Sequence, residues 1–200
     1  MDPFEQLGVE RRFDLDLGAL EKTHRELSRA LHPDRYAQAG ASERRASLEK
    51  AASVNEAWRT LRDPIRRAEA LFRLAGAPVG EDKEPRAAPE LLMRILEARE
   101  ELAEARGAGD LAKVRALGDD AAKRAAETER KLAAGFASLA TRGDVGAPPA
   151  DPSATAALVP LLGELRFYRR LLDEVSAIEE DAELGAVDSR SGVEEGRVQT

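Results

Sequence analysis

Pro33 stands directly after an amphipathic helical run, ALEKTHRELSRAL, and forbids that run from continuing. Its ring removes a backbone donor and pushes the preceding residue, His32, out of helical geometry. The chain must turn there, with His32 and Asp34 on either side of a rigid residue at an exposed helix end. Such a corner fits three readings: an acid–base pair, a helix stop with no further role, or a recognition tip. One helix is expected from Leu17 to Leu31, with Asp16 as N-cap. Leu20, His24, Leu27 and Leu31 fall at i, i+4, i+7 and i+11 and form its packing stripe. Lys22, Arg25 and Arg29 lie on the opposite face and lead towards His32.

Proline and glycine punctuate the rest of the chain in the same way. The polar loop RYAQAGA precedes a second long helix, expected to be capped by Ser42 with Glu43 in its first turn. Leu48, Ala51, Ala52, Asn55, Trp58 and Leu61 are its expected packing positions. Asp63 and Pro64 end it and open a third helix that Gly76 stops. The stretch GAPVGEDKEPRAAP reads as a linker. A second helical unit follows, with helices from Pro89 to about Arg106, from Asp110 to about Thr141, and over roughly 153–183. Pro160 lies inside the last pattern, so that helix should kink or begin there. From Gly185 onward periodicity is lost and a disordered tail is expected.

Composition limits the function classes. Aromatic residues are 4% of the chain, β-branched residues are sparse, and Ala, Leu, Glu and Arg dominate, so the fold is all-α. The absence of cysteine excludes disulfides, thiolate metal sites and cysteine catalysis. Two histidines set far from any acidic cluster make a metal site unexpected. No stretch reaches transmembrane length and no signal peptide is evident, so a cytoplasmic protein with no membrane role is expected. The formal charge of −7 divides into +1 over residues 1–76 and −8 over the remainder, which argues against nucleic acid as a partner. An acidic protein could still meet the basic face of the first helix. An enzyme would need His32 and Asp34 as its acid–base pair, yet both are expected to be solvated, with no nucleophile beside them.

Two helices of the second unit carry apolar residues away from their core seams. Leu91, Ile95, Ala98 and Leu102 form one seam, while Leu92, Met93 and Leu96 rotate towards Glu97 and Glu100. In the last helix Leu158, Leu161, Leu165, Tyr168, Leu172 and Val175 form the seam, and Phe167 is expected on the far side among Arg166, Arg169 and Arg170. Such residues either pack against the other unit or stay exposed for a partner.

The HPD tripeptide after a basic helix, followed by a helix carrying VNEAWRTLRDP, resembles a J-domain. With MDPFEQLGV at the start, RRAEALFRLAG after this unit and LLMRILEAREEL opening the next, residues 1–180 resemble the HscB family of co-chaperones. The resemblance implies an L-shaped molecule with no cofactor: a J-domain over 1–76, a linker over 77–89, a three-helix bundle over 90–184, and the tail over 185–200. It implies that His32, Pro33 and Asp34 trigger ATP hydrolysis by an HscA-like seventy-kilodalton heat-shock chaperone. Lys22, Arg25, Arg29 and Arg35 would dock on that chaperone. Leu92, Met93, Leu96, Glu97, Glu100 and Phe167 would contact an IscU-like iron–sulfur scaffold. The rival reading keeps the J-domain and gives the bundle a different client. Departures from the family pattern are Arg35 in place of the usual lysine, Pro160 and Gly163 in the last helix, and the extra tail. The cysteine pairs of some eukaryotic relatives are absent, so no zinc is implied. Oligomeric state does not follow from the sequence.

Overall fold

The structure, a computed structural model, describes residues 1–36, 39–77, 79, 89–140 and 152–195, without the side chains of 140, 152–153 and 185–195. The described residues form helices and turns and no strands. The helices are α1 (Pro3–Leu7), α2 (Leu17–Ala30), α3 (Ala41–Arg62), α4 (Pro64–Leu74), α5 (Pro89–Gly107), α6 (Leu111–Ala140), α7 (Pro152–Ala156) and α8 (Val159–Glu195). A single 3-10 turn, Pro33–Tyr36, follows α2.

Local chemistry sets most of these boundaries. Asp16 Oδ1 accepts hydrogen bonds from the Gly18 and Ala19 amides and opens α2. Asp63 does the same for the Ile65 and Arg66 amides at the start of α4. Pro3, Pro64, Pro89 and Pro152 each occupy the first position of a helix, where a missing amide costs nothing. Pro160 is the second residue of α8, so the last helix begins there and does not kink around it. Gly109, with φ of +66°, reverses the chain between α5 and α6 in a conformation that L side chains rarely adopt.

Several expectations are corrected. Helix α1 was not anticipated from the sequence; Asp2 caps it in a reciprocal capping box with Glu5. Helix α3 starts one residue before Ser42, with Gly40 as N-cap and no side-chain cap. Its packing face also differs: Ser47, Val54, Ala57 and Leu61 are buried, while Leu48 is exposed. At 100° per residue those four residues share one arc and Leu48 sits opposite it. Helix α8 continues to Glu195, through most of the segment expected to be a disordered tail. No proline interrupts residues 185–195, and propagation adds one backbone hydrogen bond per residue once a helix is nucleated. The expected linker and the loop before residue 153 lie largely outside the described residues.

The compact units also depart from the boundaries drawn on the sequence. One comprises Met1–Pro85 with Glu129–Leu162; the other comprises Arg86–Thr128 with Gly163–Thr200. The last turns of α6 therefore belong with the N-terminal helices, and an aromatic cluster is the reason. Phe13 stacks on Phe136 with ring centroids 5.8 Å apart, and Phe72 meets the same ring at 5.0 Å. The Arg67 guanidinium lies 4.7 Å from the Phe13 ring centroid, and its Nη1 donates to the Leu61 carbonyl at 2.7 Å. Burial holds the Arg67 pKa below its usual value, against the opposing pull of Glu129, Asp63 and Asp14.

In the second unit α5, the first half of α6 and the rest of α8 share a core of Leu102, Ala105, Val114, Ala121, Tyr168, Leu171, Val175 and Ile178. Helices α6 and α8 approach closely at Gly118, where a Cβ would fall 2.9 Å from Val175 Cγ1.

Phe136→Ala should destabilise the first unit by about 3 kcal/mol, as deletion of a buried ring does. Urea unfolding followed by circular dichroism measures this, and a loss below about 1 kcal/mol would mean that the ring is not part of that core.

Candidate functional site

The end of α2 builds the first candidate site. Leu31 is its C-cap, with φ of −96° and ψ of 7°, and its amide donates to the Leu27 carbonyl at 2.9 Å. Pro33 then opens the 3-10 turn, which is closed by the Arg35 amide donating to the His32 carbonyl at 3.0 Å. His32 Nδ1 lies 3.4 Å from Asp34 Oδ2, and the two side chains are 59% and 90% exposed. Contact that long between two solvated groups is weak, and no buried wall surrounds them. The corner presents a ring and a carboxylate outward on a rigid turn.

Lys22, Arg25 and Arg29 are exposed on one face of α2, and Arg35 is exposed in the turn that follows. Arg25 pairs with Glu21 one turn earlier on the same helix. Behind this face α2 is clamped to α3. The His24 ring stacks on Trp58 with centroids 5.0 Å apart and planes 9° from parallel. His24 Nε2 lies 2.9 Å from Asn55 Oδ1 and 3.3 Å from Ser28 Oγ. His24 was expected as a member of the packing stripe, and its ring serves as a polar clamp within it.

The second candidate site is on α5. Leu91, Leu102 and Ala105 are buried, whereas Leu92, Met93 and Leu96 are 49%, 56% and 62% exposed. Glu97 and Glu100 are exposed on the same side. On a helical wheel these five span about 140° and lie opposite the buried seam. Arg94 and Arg99 flank the face and reach α8, pairing with Glu164 at 3.1 Å and Glu174 at 3.2 Å.

Phe167 does not join this surface. It is 6% exposed, lies 5.1 Å from the Tyr168 ring, and is part of the core of the unit. The sequence reading gave α8 a single seam, but this helix packs against both α5 and α6. Its buried arc in this unit spans about 160°, and Phe167 falls at one edge of it. Phe167 and Glu97 do line one cavity of about 150 Å³, together with Glu101, Asp120, Arg124 and Tyr168. Phe167 can therefore shape the unit near Glu97 without offering its own ring as open surface.

A co-chaperone HscB homolog from Burkholderia multivorans is 33% identical over 174 residues, covering 87% of this chain and 91% of that relative. The chain belongs to the HscB co-chaperone family. A relative of the same name from Ralstonia nicotianae is 43% identical over 108 residues, which take in 54% of this chain and 61% of that protein. The profile of the HSCB C-terminal oligomerisation domain matches residues 87–176. Among solved structures, the chaperone HscB from Vibrio cholerae is 29% identical with a TM-score of 0.74, over 91% of this chain and 99% of that one. The human co-chaperone protein HscB shares the fold at 21% identity, with a TM-score of 0.76 over 90% and 82% of the two chains. The HscB relatives from Burkholderia multivorans and Ralstonia nicotianae are named as co-chaperones. No described helix is long and apolar enough to cross a membrane.

The two faces respond differently to truncation. Phe167→Ala should destabilise the second unit by about 3 kcal/mol, since it empties a core position. Leu92→Ala should stay within about 0.5 kcal/mol of the parent. Thermal melts of the two variants side by side test the assignment, which would fail if Leu92→Ala were the more damaging.

Proposed function

We propose that this HscB-family protein stimulates the ATPase of an HscA-like seventy-kilodalton heat-shock chaperone and brings to it an IscU-like iron–sulfur scaffold, in the cytoplasm. The observation that carries the reading is the exposed His32-Pro33-Asp34 tip, held at the end of a helix whose outward face bears Lys22, Arg25 and Arg29. Arg35 adds a further cation at the same corner. A surface of this kind suits an acidic partner: the charges steer the encounter, and the rigid tip loses little entropy on binding. The chemistry of ATP hydrolysis belongs to the chaperone, and the tip acts on it by contact.

The scaffold would bind the α5 face. Leu92, Met93 and Leu96 supply an apolar centre and Glu97 and Glu100 a charged rim, the usual anatomy of a protein interface. Phe167, counted among the contact residues on the family resemblance, would support this face from within the core.

His32→Gln should leave the melting temperature unchanged, because the side chain is exposed and makes only long contacts, with the Asp34 amide and carboxylate, both at 3.4 Å, yet abolish ATPase stimulation in a single-turnover assay. Stimulation equal to that of the parent would remove the tip from the proposal. Docking should weaken with salt, since exposed charges are screened over about 10 Å at 0.1 M. Arg25→Glu should bind poorly even at low salt in a titration read by calorimetry.

Leu92→Ala and Leu96→Ala should each weaken scaffold binding by about 1–2 kcal/mol, as expected for apolar anchors. Stimulation of the chaperone without scaffold should persist in both. Binding that is unchanged in both variants, with stimulation intact, would instead favour a J-domain protein serving another client.

A further inference from the structure

The peptide that joins α2 to the tip is tied to α3 by one buried side chain. Ser47 is 4% exposed, and its Oγ donates to the Leu31 carbonyl at 3.1 Å. That carbonyl and the His32 amide belong to one planar unit, so fixing the oxygen fixes the plane from which His32 departs. At its other end the same peptide is held poorly, because the His32 amide reaches the Arg29 carbonyl only at 3.5 Å. Carbonyls in the last turn of a helix lack intrahelical partners, and Pro33 has no amide to return to them. The donor must come from elsewhere. Helix α3 supplies it from a position on its buried face, level with Val54, Ala57 and Leu61.

We propose that Ser47 is a positioning residue that sets the orientation of the His32-Pro33-Asp34 tip, and with it the strength of chaperone stimulation rather than the affinity of docking. The inference rests on the proposed function. Lys22, Arg25 and Arg29 precede the bonded peptide on α2, and the clamp of His24 with Trp58 and Asn55 holds that helix independently. Loss of the Ser47 hydroxyl therefore leaves the basic face where it is. It frees the plane of the Leu31–His32 peptide, and the tip samples orientations that fit the chaperone less well. Without that hydroxyl the part-buried Leu31 carbonyl is left to solvent, which does not fix the peptide plane.

The test compares the parent protein with Ser47→Ala, Ser47→Thr, Ser47→Cys and His32→Gln. Alanine removes the donor, threonine keeps it, and cysteine keeps the volume with a weak donor. ATP turnover of an HscA-type chaperone is measured across co-chaperone concentration. Ser47→Ala should lower maximal stimulation about three- to tenfold, with the half-maximal concentration changed less than twofold. Ser47→Thr should recover most of the stimulation, and Ser47→Cys should resemble the alanine variant, which covers the case in which alanine fails to fold. Independently of any partner, the Arg35 amide should exchange with solvent faster in the alanine and cysteine variants than in the parent.

Equal stimulation by the parent and the alanine and cysteine variants would overturn the proposal. So would a threonine variant as impaired as alanine, because the hydroxyl would then not be the cause. A parent protein that fails to stimulate would remove the functional reading instead, and amide exchange would decide the role of Ser47. Unchanged exchange in both the alanine and cysteine variants would overturn that as well.

Discussion

The contact on which the N-terminal unit most depends is the meeting of Phe13, Phe72 and Phe136. Two of these rings come from the first 76 residues and the third from the far end of α6, more than sixty residues later. A short helical hairpin has too little interior to bury Phe13 and Phe72 by itself. Phe136 completes the cluster, and Arg67 lies over the Phe13 ring while donating to the Leu61 carbonyl. The cation–π contact helps a charged group lie in the core, where burial lowers its pKa against the pull of Glu129, Asp63 and Asp14. Helices α2 and α3 thus present their tip from a unit assembled from the N-terminal helices and the segment Glu129–Leu162.

This dependence explains where the sequence could be read and where it could not. Boundaries set by local chemistry were legible: Asp16 and Asp63 as caps, Pro64 at a first helical position, Gly76 as a stop. The tip was legible for the same reason, because Pro33 acts on its immediate neighbours. Properties that depend on how many partners a helix has were not. A wheel assigns one seam, and α8, with partners on two sides, buries a wider arc; this is why Phe167 was expected outside the core. The same blindness applied to Leu48 and Ser47. Hydrophobicity favoured the leucine as the packing residue, but the interior at that point offers a carbonyl in need of a donor. The grouping of Glu129–Leu162 with the N-terminal helices had no local signal at all.

The α5 face was legible because it is an excess rather than a fit. Leu91 and Leu102, with Ile95 packed alongside, already cover the seam that α5 needs, so Leu92, Met93 and Leu96 have no packing role left in this unit. Exposure of three large apolar side chains on a charged helix is unfavourable in water, and nothing in the energetics of the unit repays it. Glu97 and Glu100 lie exposed beside them and add charge to the edge of the face. What remains is a surface that contributes little to the stability of the unit.

The two candidate sites therefore differ in how they achieve recognition. In the proposed function the α5 face would rely on desolvation of apolar side chains by a partner, each residue contributing through area removed from water. The tip buries almost nothing of its own; its information lies in orientation. For an exposed ring and carboxylate on a 3-10 turn, orientation is set by the backbone beneath them, and that backbone is anchored through the Leu31 carbonyl to the buried Ser47. A side chain can thus govern a contact it never touches, provided that it holds the peptide plane on which the contacting residue is mounted.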